Sequence, residues 1–297
     1  MLESATTSFQ VHLKVDPGKA GRFYNAAKIL SAPMVALSAN SPYLFGSELW
    51  EETRIPLFEQ AIRVGDTEMT KRVTLGIGYI DSIFDCFRAN LQRYPVLLPQ
   101  LMDEPEDRLA HLRLHNGTIW RWNRPLIGFD VQGLPHIRIE HRVIPAGPTV
   151  LDSIANAAFF YGAACALAGC SDPPERQLPF NQAKDNFYRA ARRGLYAEIQ
   201  WFGGDAGSVR DLCRDRLLPL ARSLKTQRTV CAFAYAGMED DLDPHTEIAE
   251  MASAYIEEIL QVQPEGPYCV AGYCLGAFVA HEIAWQLEAR GMAVERL

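Results

Sequence analysis

The N-terminal residues alternate between apolar and polar positions before the pattern changes to that of a helix. Over Ser8–Val15 every second residue is apolar, which is the period of a half-buried strand. Asp16-Pro17-Gly18 ends this strand, because proline and glycine interrupt regular structure. The alanine-rich segment Ala20–Ser38 has the apolar spacing of a buried helix, and residues 40–46 are predicted to form a loop.

The middle of the chain is predicted to contain four helices with a β-meander between the first and the second. The helices cover residues 76–99, Val150–Ala168, 186–201 and 208–223. The meander spans Leu112–Val143, where Asn116-Gly117 is a turn dipeptide typical of hairpins. Strands are expected on both sides of that turn, at Leu112–His115 and Thr118–Trp122. A second turn over Asp130–Pro135 leads into the strand Ile137–Val143.

The last seventy or so residues follow a different, alternating order of strands and helices. The predicted elements are the strand Val230–Tyr235, a helix from Ile248 to Leu260, the strand Tyr268–Ala271 and the helix Ala277–Arg290, which Gly291 ends. A β-α-β-α order favours a parallel sheet.

Composition indicates a globular protein with a core of its own. The chain has 297 residues, of which 48% are hydrophobic and 22% are charged. The sequence has no long uninterrupted apolar run and no secretory leader, so we expect no contact with a membrane. Its seven cysteines include no Cys-x-x-Cys pair, which favours reduced thiols and a cytoplasmic location.

Charge divides the chain into two parts. The net charge is −7, but residues 229–297 contain 12 acidic residues against two arginines, a net of −10. Residues 1–228 therefore have a net charge of +3. This shift predicts two units of different origin that join near residue 228. Neither unit has the basic stripe that nucleic-acid binding requires, so no nucleic acid is expected as a partner.

Three charged residues share one face of the strand that follows the second turn. Arg138, Glu140 and Arg142 are two residues apart, so they point to the same side, opposite Ile137 and Ile139. A carboxylate between two guanidinium groups can anchor a metal, a phosphate or a substrate carboxylate. The alternative is a ladder of charges that faces solvent.

The segment Arg138-Ile139-Glu140-His141-Arg142, followed by Pro145 and the helix from Asp152 to Tyr161, resembles the Arg-x-Glu-x-Arg strand of the glutamine synthetase-like fold. It resembles more closely the second family of glutamate–cysteine ligases and their carboxylate–amine ligase relatives. The segment from Ala36 to Pro42, with Phe45 and Gly46 following, is similar to the Ala-Asn-Ser-Pro segment of those ligases. Arg54 stands where the family has an arginine after that loop, and the resemblance covers roughly residues 5–225.

This resemblance implies an ATP-dependent ligase that activates the side-chain carboxylate of glutamate as an acyl phosphate, which an amine then attacks. It implies that Glu140 is a Mg²⁺ ligand and that Arg138 and Arg142 bind ATP phosphates or a substrate carboxylate. Arg54 and Asn40 are predicted to bind substrate. ATP and Mg²⁺ would be the cofactors, and glutamate and an amino-acid amine the small-molecule substrates.

His12 lies on the polar face of its predicted strand, where the ligase relatives often carry a His-x-His pair. The first position of the pair is Gln10 here. His12 is therefore either a metal ligand or a hydrogen-bonded histidine of an edge strand. The family is longer, with further metal-binding glutamates in an N-terminal half, so we expect the ligase part to correspond to the C-terminal half of such an enzyme.

A second candidate site lies in the acidic part of the chain. Gly272-Tyr273-Cys274-Leu275-Gly276 places a nucleophile between two glycines, at a predicted turn from strand to helix. The N-terminus of the following helix favours a developing oxyanion and lowers the pKa of a thiol. The alternative for Cys274 is a small buried thiol at a tight turn.

Residues 229–297 resemble the first part of the thioesterase domains that end nonribosomal peptide and polyketide synthases. The matching run goes from Tyr255 through Gln263-Pro264-Glu265-Gly266-Pro267-Tyr268 and the elbow to Gln286-Leu287-Glu288. The resemblance implies that Cys274 accepts an acyl group and that an acyl carrier protein delivers it. In this fold the catalytic acid and histidine follow the nucleophile, so we expect the unit to be truncated and His281 to be a helix-face residue.

The sequence therefore predicts an α+β protein in two parts. Residues 1–228 would form a partial glutamine synthetase-like antiparallel sheet with helices, and residues 229–297 a truncated α/β-hydrolase unit. The first functional hypothesis is ATP-dependent glutamate–cysteine ligase chemistry of the kind used in glutathione biosynthesis. The alternatives are thioester hydrolysis or acyl transfer through Cys274, and an inactive fusion or fragment.

Overall fold

Two compact units, Met1–Thr226 and Gln227–Leu297, divide the chain in the computed structural model. The structure describes residues 6–62, 71–130, 132–222, 247–270 and 275–296. Within these ranges it is a mixture of helices and small sheets, which agrees with the predicted α+β class.

The first unit contains seven described strands and nine described helices. The strands are β1 (Val11–Val15), β2 (Tyr43–Leu44), β3 (Ser47–Glu48), β4 (Asn123–Phe129), β5 (Pro135–His141), β6 (Glu198–Gln200) and β7 (Ala206–Ser208). The helices are α1 (Ala20–Ser38), α2 (Arg54–Ala61), α3 (Phe84–Arg93), α4 (Ala110–Gly117), α5 (Val150–Gly169), α6 (Pro174–Gln177), α7 (Phe180–Arg193), α8 (Val209–Leu212) and α9 (Leu218–Arg222). A π-helical turn, Cys213–Leu217, joins α8 to α9.

The central sheet is antiparallel, in the order β1-β5-β4. Its β5 strand separates two kinds of side chain, as the alternation in the sequence predicts. Ile137 and Ile139 are buried in the core beneath α1. His141 lies in the same alternation, and its ring stacks on that of Phe160 in α5, with 4.1 Å between centroids. Residues 138, 140 and 142 belong to the opposite face.

Helix α1 has the predicted bounds, and nearly every residue in it is buried because it packs against α5, α7 and the sheet. Lys28 belongs to this buried set and is only 1% exposed. Its Nζ donates a hydrogen bond to the carbonyl of Gly78 and lies 4.7 Å from the ring centroid of Tyr24 and 5.2 Å from that of Phe180. Burial, with a smaller contribution from the charge of Arg121, lowers the pKa of Lys28 to about 7.

Helix α5 also forms where its apolar pattern predicts. Thr149 begins it, since its hydroxyl accepts a hydrogen bond from the backbone N–H of Asp152 at 3.1 Å. Gly162 allows α9 to approach closely, because a Cβ at this position would lie 2.6 Å from the carbonyl oxygen of Ala221. Among the described helices α5 alone is long and apolar enough to cross a membrane by length and composition, yet its second half is packed inside the unit.

The prediction of a helix over residues 76–99 is wrong at both ends, since only Phe84–Arg93 is helical. Gly76 has a φ of +97°, a left-handed conformation that interrupts a helix, and Ile77 is exposed. At the other end Tyr94 is extended, as a residue before proline prefers to be.

The first hairpin of the predicted meander is also wrong, because Ala110–Gly117 is a helix and the sheet begins only at Asn123. Asn116 is buried, and its side-chain amide joins two other elements. It donates to the carbonyl of Pro125 at 2.9 Å and accepts from Asn90 at 3.0 Å. The second predicted turn is confirmed, because Asp130 accepts backbone hydrogen bonds from residues 132 and 134 and joins β4 to β5.

Three further predictions differ from the structure in their bounds. The helix predicted over residues 186–201 begins earlier, at Phe180, and ends at Arg193, before Gly194, whose φ is +55°. Residues 198–200, which were predicted to be helical, form β6. Of the helix predicted over residues 208–223, residues 209–222 are helical, over α8, the π turn and α9, whereas Ser208 ends β7 and residue 223 lies outside the described residues. The predicted loop at 40–46 includes the first strand of a small hairpin, β2–β3.

The second unit contains α10 (Ile248–Val262), β8 (Tyr268–Cys269), α11 (Leu275–Ala289) and β9 (Val294–Arg296). Strands β8 and β9 are parallel, and β9 was not predicted from the sequence. The second unit has its own hydrophobic core, around which α10 and α11 pack. This core consists of Met251, Ala252, Tyr255, Ile256, Tyr268, Val279, Ile283 and Leu287. The predicted strand Val230–Tyr235 lies outside the described residues.

Candidate functional site

The candidate ligase site is built on one transverse row of the central sheet. His12 of β1, Glu140 of β5 and Arg124 of β4 are directly opposite one another. Arg124 Nε donates to Glu140 Oε2 at 2.7 Å, and its Nη2 donates to Oε1 at 3.2 Å. His12 Nε2 lies 3.5 Å from Glu140 Oε1. Both carboxylate oxygens therefore contact nitrogen atoms of neighbouring strands.

Arg142 adds a second guanidinium group to this row. Its Nε lies 3.6 Å from Glu140 Oε2, and its guanidinium carbon lies 5.4 Å from the centre of the Phe58 ring in α2. The Glu140 side chain is only 3% exposed, and those of Arg142 and Arg124 are 10% and 13% exposed. Solvent screening of these charges is therefore weak.

Arg138 lies one row further along the same face, opposite Lys14. Its Nε is shielded from solvent and has no hydrogen-bond partner among the described residues. Gly128 of β4 allows this side chain to lie flat, since a Cβ there would be 3.3 Å from Arg138 Nε and 2.6 Å from His136 Nε2. The face thus carries four cationic side chains and one carboxylate, a net positive charge if both histidines are neutral.

The pKa values of both histidines are lowered, first by burial and then by these positive charges. Burial lowers the pKa of His12, Glu140 partly offsets that effect, and the charges of Arg138, Arg124 and Arg142 lower it further. Burial, Lys14 and Arg138 likewise lower the pKa of His136. A surface that disfavours protonation of its histidines is suited to bind an anion, such as a phosphate or a carboxylate.

A divalent cation does not fit the same residues. Magnesium requires oxygen ligands with free lone pairs and usually one or two carboxylates. Glu140 accepts from Arg124 at both oxygens, and the remaining lone pairs face His12 Nε2, 3.5 Å from Oε1, and Arg142 Nε, 3.6 Å from Oε2. In the part of the chain that the structure describes, no three His, Cys, Asp or Glu side chains come together as a metal site.

Arg54, predicted to bind substrate, is buried and makes its contacts inside the protein. Its Nε donates to Glu52 Oε1 at 3.1 Å, and its two terminal nitrogens donate to the carbonyls of Arg142 and Val143. Burial raises the pKa of Glu52, and Arg54 and Ser41 oppose that shift. Arg54 therefore fixes the backbone that carries Arg142 at the end of β5.

Asn40 lies at the edge of the same cluster. Its side-chain amide donates to the carbonyl of Ala146 at 2.7 Å, and its backbone N–H donates to Glu52 Oε2 at 3.2 Å. The Ala-Asn-Ser-Pro segment is thus tied to the chain that leaves β5. Asn40 and Arg54 contact the backbone next to the arginine face, which is the face that carries Arg124, Arg138 and Arg142. Their predicted role in substrate binding stays a prediction.

Cys274, the predicted nucleophile of the second unit, lies outside the described residues. The predicted helix after it is confirmed, since α11 begins at Leu275. His281 is exposed on α11, as expected for a helix-face residue. Cys269 of β8 is an exposed cysteine in the same unit, and its thiol donates to Glu295 Oε2 at 3.8 Å.

Comparison with known sequences decides the family of the chain. The sequence model of the glutamate-cysteine ligase family 2 (GCS2) matches residues 1–240. The chain belongs to the glutamate–cysteine ligase family 2. A second model, that of the thioesterase domain, matches residues 218–297. Both resemblances inferred from the sequence are confirmed, and the chain joins a glutamate–cysteine ligase family 2 region to a thioesterase-domain region.

Several curated proteins are similar to part of this glutamate–cysteine ligase family 2 chain. Indigoidine synthase of Dickeya dadantii (strain 3937) is 47% identical over 105 residues, 35% of this chain and 7% of that protein. Polyketide synthase PksR of Bacillus subtilis (strain 168) is 38% identical over 99 residues, 33% of this chain and 4% of that protein. Nonribosomal peptide synthetase apvA of Aspergillus terreus (strain NIH 2624 / FGSC A1156) is 40% identical over 70 residues, which are 24% of this chain and 8% of that protein. The aligned segments cover less than a tenth of each relative.

Sequence reasoning missed Arg124, which makes the shortest ion pair of the site. The signal was available in the turn over residues 130–135, because a hairpin centred there places residue 124 opposite residue 140. The incorrect hairpin at Asn116-Gly117 obscured this pairing, since it left no strand assigned to residues 123–129.

Proposed function

We propose that the chain catalyses an ATP-dependent ligation of a carboxylate to an amine. The observation that supports this proposal is the arginine face, on which Arg124, Arg138 and Arg142 surround a single carboxylate in a member of the glutamate–cysteine ligase family 2. We also propose that the first unit has the glutamine synthetase-like fold, that the second is part of an α/β-hydrolase, and that the protein is cytoplasmic.

The reaction requires a site that holds several anionic groups at once. The terminal phosphoryl group of ATP passes to a carboxylate oxygen of glutamate, and ADP leaves. The amine nitrogen then attacks the acyl carbon, inorganic phosphate departs with the C–O electron pair, and the amine gives up a proton. Arginines bind phosphate and carboxylate oxygens in two-point geometry, so Arg138 and Arg142 would orient these groups against one another.

The experiment traps the activated intermediate. The full chain is incubated with ATP and glutamate, with and without Mg²⁺, and hydroxylamine serves as the amine. We expect glutamyl hydroxamate that requires ATP, and a loss on the order of 10²-fold or more in Arg142→Gln. Arg216→Gln is the matched control, because Arg216 is an exposed arginine whose ion pair with Asp205 lies on the surface. Absence of hydroxamate from the wild-type chain under both conditions would refute the proposal.

A second candidate function is acyl transfer or thioester hydrolysis through Cys274, with an acyl carrier protein as partner. Its support is the thioesterase-domain match over residues 218–297 and the similarity to synthases named above. An acyl thioester should transfer its acyl group to the Cys274 thiolate and release the free thiol. Mass spectrometry of the labelled chain tests this, with Cys269→Ala expected to keep the label and Cys274→Ala to lose it.

A further inference from the structure

We propose that Glu140 is the internal counter-ion of the arginine face and not a ligand of a divalent cation, so that this face binds a polyphosphate directly, without metal. The proposal rests on the anion-binding role in the proposed function. It departs from the Mg²⁺ role that the family resemblance implies for Glu140. It also gives Arg124 a definite role, because its guanidinium group compensates the charge of Glu140.

The two-point contact between Arg124 and Glu140 carries this inference. Its distances of 2.7 and 3.2 Å are those of a charge-assisted, bidentate pair. The carboxylate is almost fully buried, so a weakly screened ionic contact holds it on both oxygens. To ligate a metal, Glu140 would have to release Arg124 and leave a guanidinium group with 13% side-chain exposure next to a dication.

The remaining charges of the face act in the same direction. Arg142 lies 3.6 Å from Glu140, and Arg138 and Lys14 lie one row away. A dication would meet these positive charges, whereas a polyphosphate would be attracted by them. The side chain of His12 is 30% exposed, so the face is open to solvent on the β1 side. An anion arriving there meets the half-buried side chain of Arg138.

Glu140 has a different effect in the two interpretations. As a metal ligand it would be required for binding of a metal–polyphosphate complex. As a counter-ion it positions two arginines while its negative charge opposes the incoming anion. A Glu140→Gln substitution keeps the size of the side chain and one of its two acceptor oxygens for Arg124 while removing that charge. The two interpretations therefore predict opposite signs for the effect of one substitution.

The test is calorimetric binding of inorganic tripolyphosphate to the full chain, in EDTA and then in excess Mg²⁺. We expect binding in EDTA, weaker binding in Mg²⁺ because the chelated polyphosphate carries less negative charge, and roughly fivefold tighter metal-free binding in Glu140→Gln. Arg138→Gln should weaken binding roughly tenfold, while Arg216→Gln on the exposed surface should not change it.

Two results overturn the inference in different ways. Binding only in the presence of Mg²⁺ would show that the face requires a metal, and the proposed function would stand. Absence of binding in both buffers would remove the anion site and the proposed function with it. Because the wild-type comparison alone decides between these results, the test does not depend on any variant folding.

Titration with Mn²⁺, followed by its electron paramagnetic resonance signal, gives an independent measurement. We expect no binding of Mn²⁺ to Glu140 in the wild-type chain, so this residue should not reduce the signal of free Mn²⁺. Glu140→Gln should give the same signal as the wild-type chain, because Glu140 ligates no Mn²⁺ in either. A Glu140-dependent Mn²⁺ site in the wild-type chain would contradict the inference.

Discussion

Lys28 is a buried amine in the middle of a core helix, and replacing it with methionine should change how stability depends on pH. It is 1% exposed, and burial lowers its pKa to about 7, whereas an unfolded lysine titrates near 10.4. Its described contacts are the carbonyl of Gly78 and the rings of Tyr24 and Phe180. A positive charge at this position is therefore poorly compensated in the folded chain.

The sign follows from proton counting. Between about pH 7 and 10.4 the unfolded chain keeps the proton of Lys28 that the folded chain has released, so the free energy of unfolding rises with pH across this window. The slope is at most about 1.4 kcal/mol per pH unit, which gives about 2–3 kcal/mol between pH 7 and pH 9. Below pH 7 both states are protonated, and this contribution becomes constant.

Urea denaturation of the full chain, followed by tryptophan fluorescence at pH 7, 8 and 9, measures the effect. Burial also raises the pKa of Tyr24 and Cys213, which makes unfolding easier at high pH, so the informative quantity is a difference between variants. Relative to Lys28→Met, the wild-type chain should gain about 2–3 kcal/mol of unfolding free energy from pH 7 to pH 9. The exposed Lys19→Met is the matched control, and its difference from wild type should not vary with pH.

A difference between wild type and Lys28→Met that stays constant over this range would refute the reasoning. It would mean that the folded chain keeps the amine protonated as readily as the unfolded chain does. The carbonyl of Gly78 and the two rings would then compensate the charge fully.

Two substitutions test other parts of the fold. Asn116→Ala should lower the free energy of unfolding by about 1–3 kcal/mol, because it leaves buried partners on Asn90 and Pro125 unsatisfied; a negligible loss in urea denaturation would indicate the surface hairpin turn that the sequence favours. Thr149→Ala should cost about 1 kcal/mol by removing the N-cap of α5, and Thr149→Ser should restore it; equal midpoints for all three chains would show that the cap is not formed.

The fold could be predicted from the sequence wherever one pattern dominated a long segment. Helices α1 and α5 are long and rich in apolar and small residues, so packing and local preference agree on a helix. The prediction at Asn116 failed because its turn signal is local, whereas the deciding contacts come from Asn90 and Pro125, which are 26 and 9 residues away in the sequence. Short polar signals of this kind are overridden when the side chain finds buried partners.

The candidate site shows the same division between local and distant information. Alternation along β5 predicted that residues 138, 140 and 142 share a face; the strand register includes residues 138 and 140, and Arg142 lies 3.6 Å from Glu140 just beyond the strand. The side chains next to Glu140 depend on how the strands pair. The contact with Arg124 could therefore be recognised only from the register of β4 and β5. A motif read along one strand supplies the chemical groups, but the pairing across strands decides which of them neutralise each other.

Arg54 connects these observations, because it acts on the site without belonging to its surface. Its guanidinium group is held by Glu52 and in turn holds the carbonyls of Arg142 and Val143. The Ala-Asn-Ser-Pro segment therefore reaches the arginine face through main-chain atoms. Since a guanidinium group presents its donors in one fixed plane, this contact fixes the direction in which β5 ends. The position of Arg142 relative to Glu140 thus depends on a buried ion pair one layer away, which a linear motif does not contain.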